Sequence, residues 1–219
     1  MKYIYAENTS GAVDAVAETV YNLLKNGKKV LWLLSGGSGG KVCIEIAGRL
    51  TDLPLENLFV TLSDERFVPV GDPDENWQQL LDMGLDLPGA NLYRPLNGKD
   101  RSQTTADFME WLNATKSEVD YTIGVFGIGS DGHTAGIKPG SIAVTSDQTA
   151  ADFTGEDFER ITITPAFIKT MDEAVAQVFG AEKHPAVAEL LNGDLPVDQQ
   201  PAQILKQVAK STLYTDYSN

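Results

Sequence analysis

Asp131 and His133 stand two residues apart, inside Gly129-Ser130-Asp131-Gly132-His133-Thr134. A carboxylate next to an imidazole can fix its tautomer and make it a better base near neutral pH. His133 is one of only two histidines in the chain, so a proton-transfer role has few other candidates of this type. The same residues also suit a polar turn in which His133 is merely solvated, and the pair alone names no reaction.

A second candidate lies far upstream, in Ser35-Gly36-Gly37-Ser38-Gly39-Gly40 followed by the helical pattern Lys41–Leu50. Glycines let backbone amides approach a ligand, and a helix N-terminus favours an anion. A Walker A loop is excluded, because Ser35 replaces a glycine and Val42 follows Lys41 where Ser or Thr belongs. The dinucleotide fingerprint fails as well, since Val42 occupies its third glycine position. A sugar phosphate or a carbonyl oxygen therefore fits better than a nucleotide. A tight turn needing positive φ is the plainer reading, but the Gly/Ser run is longer than a turn requires.

Two further segments carry charge at strand ends. Asp64-Glu65-Arg66 follows the apolar run Asn57–Leu62, and Arg66 offers a planar fork of donors suited to phosphate. Such a triplet also suits a surface ion-pair cluster. Lys183 stands between the run Glu173–Phe179 and a helix whose first turn holds Pro185, a place for an anion or for a solvated lysine. The lone Cys43 lies on an apolar helical face and reads as a small core residue.

These residues need a scaffold that brings four loops together. Lys28–Leu34 and Tyr121–Ile128 are apolar without alternation, as in parallel strands covered on both faces. Lys2–Tyr5 reads as a short edge strand. Val13, Val16, Val20 and Leu24 recur at helical spacing after a Thr9-Ser10 cap, and Gly27 ends that helix. Asp72 or Asp74 would cap a helix burying Trp77, Leu80, Leu81 and Leu85. A helix over Gln103–Lys116 has Ala106, Met109 and Leu112 among its apolar positions. Leu87–Leu96 is a connection with a brief extended piece, and Ala143–Gly155 is read as exposed and mobile. Arg160–Thr164 alternates as a strand. A short helix spans Pro165–Met171, another lies near Ala202–Ala209, and Thr212–Thr215 closes the chain as a strand. No role is assigned to His184. Alternation of strands and helices predicts an α/β fold: a single-domain, three-layer sandwich over 1–219 around a mostly parallel, Rossmann-like sheet. In such sheets ligands bind beyond the carboxyl ends of the strands.

Composition narrows the partners. A net charge of −14 argues against nucleic acid and anionic membranes, and makes any cluster of cations informative. No apolar run approaches the ~18 residues of a membrane span. One cysteine allows no internal disulfide, which suits a reducing compartment, and no signal-peptide pattern follows Met1-Lys2; a cytoplasmic protein is expected.

Four segments in order resemble the 6-phosphogluconolactonase family, within a wider group that includes glucosamine-6-phosphate deaminase. They are Ser35-Gly36-Gly37-Ser38; Asp64-Glu65-Arg66 with Val68-Pro69 and Asn76; Gly127-Ile128-Gly129-Ser130-Asp131-Gly132-His133-Thr134-Ala135 with Pro139-Gly140; and Gly180-Ala181-Glu182-Lys183. The resemblance implies that His133 is the general base, that Asp131 positions it or contributes to the polar site, and that water attacks the carbonyl of 6-phospho-D-glucono-1,5-lactone. It further implies oxyanion stabilisation by amides at Gly36 and Gly37. Arg66 and Lys183, with Ser38, would hold the phosphate, and Asp64 would lie in the substrate site. No cofactor or metal is implied. The partner would be the phosphorylated lactone alone, bound by a monomer or homodimer.

Three departures stand out: Gly39-Gly40 replaces Thr-Pro, which should loosen the loop; Glu75 precedes Asn76 where Ser is usual; Gly136 and Lys138 replace Ser and an apolar residue. A sugar-phosphate isomerase or deaminase, in which Asp64 would move protons between carbons, is the nearest alternative. A non-catalytic phosphosugar-binding relative is the other.

Overall fold

The computed structural model describes residues 1–218; Asn219, the last residue of the expected domain, lies outside them. In chain order the elements are β1 (Lys2–Tyr5), α1 (Ser10–Lys25), β2 (Val30–Leu34), α2 (Gly40–Ala47), β3 (Leu58–Leu62), β4 (Asp64–Arg66), α3 (Asn76–Asp82), β5 (Asn91–Leu92), α4 (Arg101–Glu118), β6 (Tyr121–Phe126), β7 (Ala150–Thr154), β8 (Glu159–Ile163), α5 (Pro165–Ile168), β9 (Glu173–Val178), α6 (His184–Asn192) and β10 (Lys210–Thr215). Short 3₁₀ turns lie at Gly37–Gly39, Ile142–Thr145, Ala181–Lys183 and Pro201–Gln207.

Seven strands form one parallel sheet in the order β1-β10-β9-β6-β2-β3-β5. Every residue of β2 is buried, and its side chains alternate between two cores. Val30, Trp32 and Leu34 pack with α1 and α2, through Val16, Val20, Val42 and Ile46. Leu31 and Leu33 point the other way, towards Phe108 and Leu112 of α4 and Phe167 of α5. Burial on both faces is why the strand is apolar without a period of two. α1 buries Val13, Val16, Val20 and Leu24, and Gly27 closes it at φ +70°. The cap differs from the expected one: the Thr9 side chain caps nothing, and Asn8 accepts the Ser10 N–H at 3.0 Å.

The chain runs outward from β2 to β3 and β5 in one direction, and from β6 to β9 and β10 in the other. The border between β2 and β6 is therefore the switch point where an open α/β sheet leaves a crevice. The loops leaving these two strands are the glycine-rich run and the segment carrying Asp131 and His133.

A second, antiparallel sheet, β4-β8-β7, was not foreseen. The chain enters it from β3 across Ser63 alone. Ala143–Gly155 is only partly exposed: Ala143 is buried in a 3₁₀ turn, and Ala150–Thr154 forms β7, which pairs along β8 and buries Ala150 and Phe153. Small residues and a single aromatic gave this strand a weak apolar signal, and its register comes from the neighbouring ladder.

Smaller corrections follow the same logic. Leu81 points outward at 40 % exposure, and α4 buries Thr104, Thr105 and Phe108 while Ala106 faces solvent. Neither Asp72 nor Asp74 caps α3; the Asn76 and Trp77 amides donate to the distant Glu65 carboxylate at 2.6 and 2.9 Å. The Ala202–Ala209 helix is a 3₁₀ segment, and the short helix after Pro165 ends at Ile168. Among the described residues no helix is long and apolar enough to cross a membrane.

Candidate active site

A cleft of about 330 Å³ opens at the carboxyl ends of the parallel strands, over the switch point. Seven of the eight expected residues line it: Gly36, Gly37, Ser38, Asp64, Arg66, His133 and Lys183. The eighth, Asp131, stands behind the His133 ring and lines a neighbouring hollow.

The His133 ring is fixed from several sides. Its Nδ1 lies 2.5 Å from Asp131 Oδ1, which also accepts the His133 backbone N–H at 3.1 Å. The Gly129 N–H donates to the His133 carbonyl at 3.0 Å, and the Gly132 N–H to the Gly129 carbonyl at 2.9 Å, closing a tight loop. Gly132 has φ +79°, which glycine adopts without strain. A Cβ on Gly129 would fall 2.2 Å from His133 Cε1, so only glycine lets the ring settle there. With the Nδ1–H donating to the Asp131 carboxylate, the lone pair on Nε2 is the basic one. Hydrogen bonding from the ring holds the Asp131 carboxyl well below the usual carboxylate range, against the effect of its partial burial.

The glycine-rich loop is a packed turn. Gly37 takes φ +53°, and Gly39 and Gly40 start α2 where side chains would collide. A Cβ on Gly39 would lie 2.6 Å from Ser35 Oγ, and one on Gly40 2.7 Å from Met83 Cε. These glycines admit close neighbours, Ser35 and Met83. The first amides of a helical turn have no partner within it, so they are free for a ligand. Cys43 is fully buried and burial pushes its thiol up to about 12, as befits a core residue.

The antiparallel sheet forms the charged wall. Arg66 of β4 pairs directly across from Arg160 of β8. Like charges so placed repel unless compensated. Here the Phe158 ring lies under both guanidinium groups, with centroid distances of 4.6 and 5.9 Å. Carboxylates complete the balance. Arg160 donates to Asp64 at 3.3 Å and to Asp157 at 2.8 Å, and Arg66 lies 3.5 Å from an Asp74 oxygen. Burial pushes the Asp64 carboxyl above its usual range, opposed first by Arg160 and then by His133 and Arg66. Behind them, Glu65 accepts the backbone N–H groups of Arg66, Asn76 and Trp77 and is pushed up to about 8 by burial. It joins β4 to the start of α3. Asn76 donates to the Asp64 carbonyl at 3.1 Å and fills the space beside Gly36.

Lys183 reaches the cleft from the turn after β9, which Gly180 opens at φ +109°. Among the described residues Lys183 forms no ion pair, unlike the other cations of the cleft. The unassigned His184 has a structural part: its Nε2 lies 3.0 Å from Asp216, which also accepts the Gly180 N–H at 3.1 Å. Glu75 faces away from the cleft and pairs with Arg94 at 2.5 Å, so that departure leaves the site untouched.

Arg160, Asp157 and Lys138 line the cleft without having been singled out as site residues. Arg160 left one trace in the sequence, a charge heading an otherwise apolar and hydroxylated strand. Lys138 showed only as a departure from the family pattern.

The family described as glucosamine-6-phosphate isomerases/6-phosphogluconolactonase matches residues 6–214. The chain is similar to a 6-phosphogluconolactonase of Synechocystis, with 31% identity over 79% of this chain and 76% of that protein. It is also similar to one of Nostoc, with 27% identity over 82% and 78%. A glucosamine-6-phosphate deaminase of Lactobacillus helveticus is 26% identical over 99% of this chain and 95% of its own length. In fold, the chain matches the crystal structure of a Thermotoga maritima 6-phosphogluconolactonase with a TM-score of 0.83, 20% identity and 98% of each chain covered. The four ordered motifs, the crevice between β2 and β6 and these matches agree: the chain belongs to the glucosamine-6-phosphate isomerase/6-phosphogluconolactonase family.

Proposed function

We propose that this chain hydrolyses 6-phospho-D-glucono-1,5-lactone to 6-phospho-D-gluconate, the lactone-opening step of the oxidative pentose phosphate pathway. One observation carries the reading: an imidazole with its Nδ1 tied to a carboxylate faces a cleft that also holds Arg66 and Lys183. The curated relatives named 6-phosphogluconolactonase support it.

His133 Nε2 takes a proton from water as the water oxygen bonds to the lactone carbonyl carbon. Charge builds on the carbonyl oxygen, where amides at Gly36 and Gly37 donate to it. Collapse of the tetrahedral adduct breaks the bond to the ring oxygen, which takes the proton from the imidazolium. Asp131 holds the tautomer and stabilises the transient cation. Arg66, Lys183 and Ser38 hold the phosphate, and Asp64, balanced by Arg160, bounds the sugar. Within an acidic protein this local concentration of cations selects an anionic substrate. The chain acts as one domain in the cytoplasm, as a monomer or homodimer, and needs no cofactor.

Deamination of glucosamine 6-phosphate is the less supported reading. Asp64, which would move protons between carbons, is engaged by Arg160 and lies against Gly136. The test is hydrolysis of freshly generated lactone, followed against its spontaneous opening, with glucosamine 6-phosphate in parallel. Acceleration of lactone opening alone is expected; turnover of the amino sugar alone would transfer the chain to the deaminase side of the family.

A further inference from the structure

Lys138 touches both members of the acid–base pair. Its Nζ lies 3.2 Å from Asp131 Oδ2 and 3.2 Å from His133 Nδ1. The backbone brings it there. Thr134 and Ile137 form an isolated antiparallel bridge, Ala135 and Gly136 between them take φ +48° and +66°, and Ile137 is fully buried. A non-glycine residue in the left-handed region is uncommon. The loop is thus turned back on a buried anchor, and the next side chain meets the pair.

A lysine at this place has two physical effects. It occupies the second oxygen of Asp131, whose first oxygen takes the His133 ring. It also sets a positive charge beside the imidazole, which disfavours a second one. We infer that Lys138 is a positioning residue that keeps His133 neutral, and so able to accept a proton, to lower pH than Asp131 alone would allow. Its consequence for catalysis rests on the lactonase reading, whereas its effect on the ring does not.

The other charges around His133 do not cancel this effect. Asp131 favours the imidazolium, as do Asp64 from β4 and Asp157 before β8, but Arg160 is bonded to the latter two. Arg66 and Lys183 line the same cleft and, as cations, act in the same direction as Lys138. Among the described residues Lys138 is the one cation at hydrogen-bond distance from the ring.

The experiment uses the chain's two histidines, whose imidazole resonances can be followed separately by NMR during a pH titration. In Lys138→Met the His133 midpoint rises by about half a pH unit, the size expected for a partly exposed charge contact. Lys138→Gln behaves alike, Lys138→Arg keeps the parent midpoint, and His184, bonded to Asp216, serves as internal reference. In the lactone assay, the acidic limb of kcat/KM moves upward with the His133 midpoint. A His133 midpoint that stays put or falls in folded Lys138→Met and Lys138→Gln overturns the inference. Absence of lactone turnover in the parent protein defeats the functional reading instead, and the titration still decides the role of Lys138.

Discussion

The parallel sheet reaches the cleft with loops of small residues, and the antiparallel sheet reaches it with charged side chains on the strands themselves. Gly36, Gly37 and Gly129 stand in loops beyond β2 and β6, where missing side chains let amides and the His133 ring come close. Asp64, Arg66 and Arg160 are strand residues of β4 and β8, held by ion pairs and by the Phe158 ring. The first region places a reacting group by backbone shape. The second places a charge field, and each of its charges needs a partner to be tolerated there. Damage to the first should therefore appear in turnover, and damage to the second in stability and substrate affinity.

The largest expected effect is in the first region. Replacing His133 by Asn removes the base and should lower kcat by about 10²–10⁴-fold. Thermal unfolding should barely change, since the ring is partly exposed and leaves no buried charge behind. A large drop in melting temperature without loss of turnover would reverse the contrast.

Next comes Arg160→Met in the charged wall. It leaves Asp64 buried without its nearest counter-charge, at a cost of about 3 kcal/mol, near the lower end for breaking a buried pair. The pH dependence has a definite sign. In the parent, burial already raises the Asp64 carboxyl above 3.8, so the folded state binds that proton more tightly. The associated stability is full below 3.8 and is lost as pH rises through the folded value. Without Arg160 that folded value climbs, so denaturant unfolding should show a larger deficit at neutral pH than in acid. An equal deficit at both would show that Asp64 is not the group left stranded.

Gly129→Ala sharpens the comparison from the other side. A Cβ there must displace the His133 ring, and a shift near 1 Å can cost about 10²-fold in kcat. Retained turnover would mean that the ring has another productive position. Lys183→Ala is the mildest. Loss of one charge-assisted contact, worth about 1.5–3 kcal/mol, lowers kcat/KM roughly 10- to 100-fold. The loss should fall on KM, because Lys183 is far from the reacting carbonyl when it holds phosphate. An equal change for a lactone without phosphate would place Lys183 elsewhere on the substrate.

The same two regions differ in how openly the sequence declares them. β2 and β6 were plain from unbroken apolar runs, because burial on both faces leaves little choice of residue. The glycines and His133 after them stood out by type and spacing. The antiparallel sheet was obscure. β4 is three charged residues, and β7 offers few apolar side chains, so neither carries a periodic signal. Their strand character comes from pairing with β8, which for β7 is the neighbouring strand in the chain and for β4 lies about a hundred positions away. Arg160 entered the cleft through that pairing, opposite Arg66. The cap of α3 was hidden for a similar reason: Glu65 supplies it from another element, while the local candidates Asp72 and Asp74 do not. Lys138 was visible only as an unusual residue, since the turned-back loop that aims it at Asp131 has no pattern of its own.

The most direct test compares kcat/KM of the parent protein for 6-phosphogluconolactone and for the same lactone without phosphate, each against its spontaneous opening. The account predicts clear acceleration of the phosphorylated lactone and a rate at least ~10-fold lower for the other, the loss of even one charge-assisted contact. No acceleration of the phosphorylated lactone by folded protein, or equal rates for the two, would contradict it.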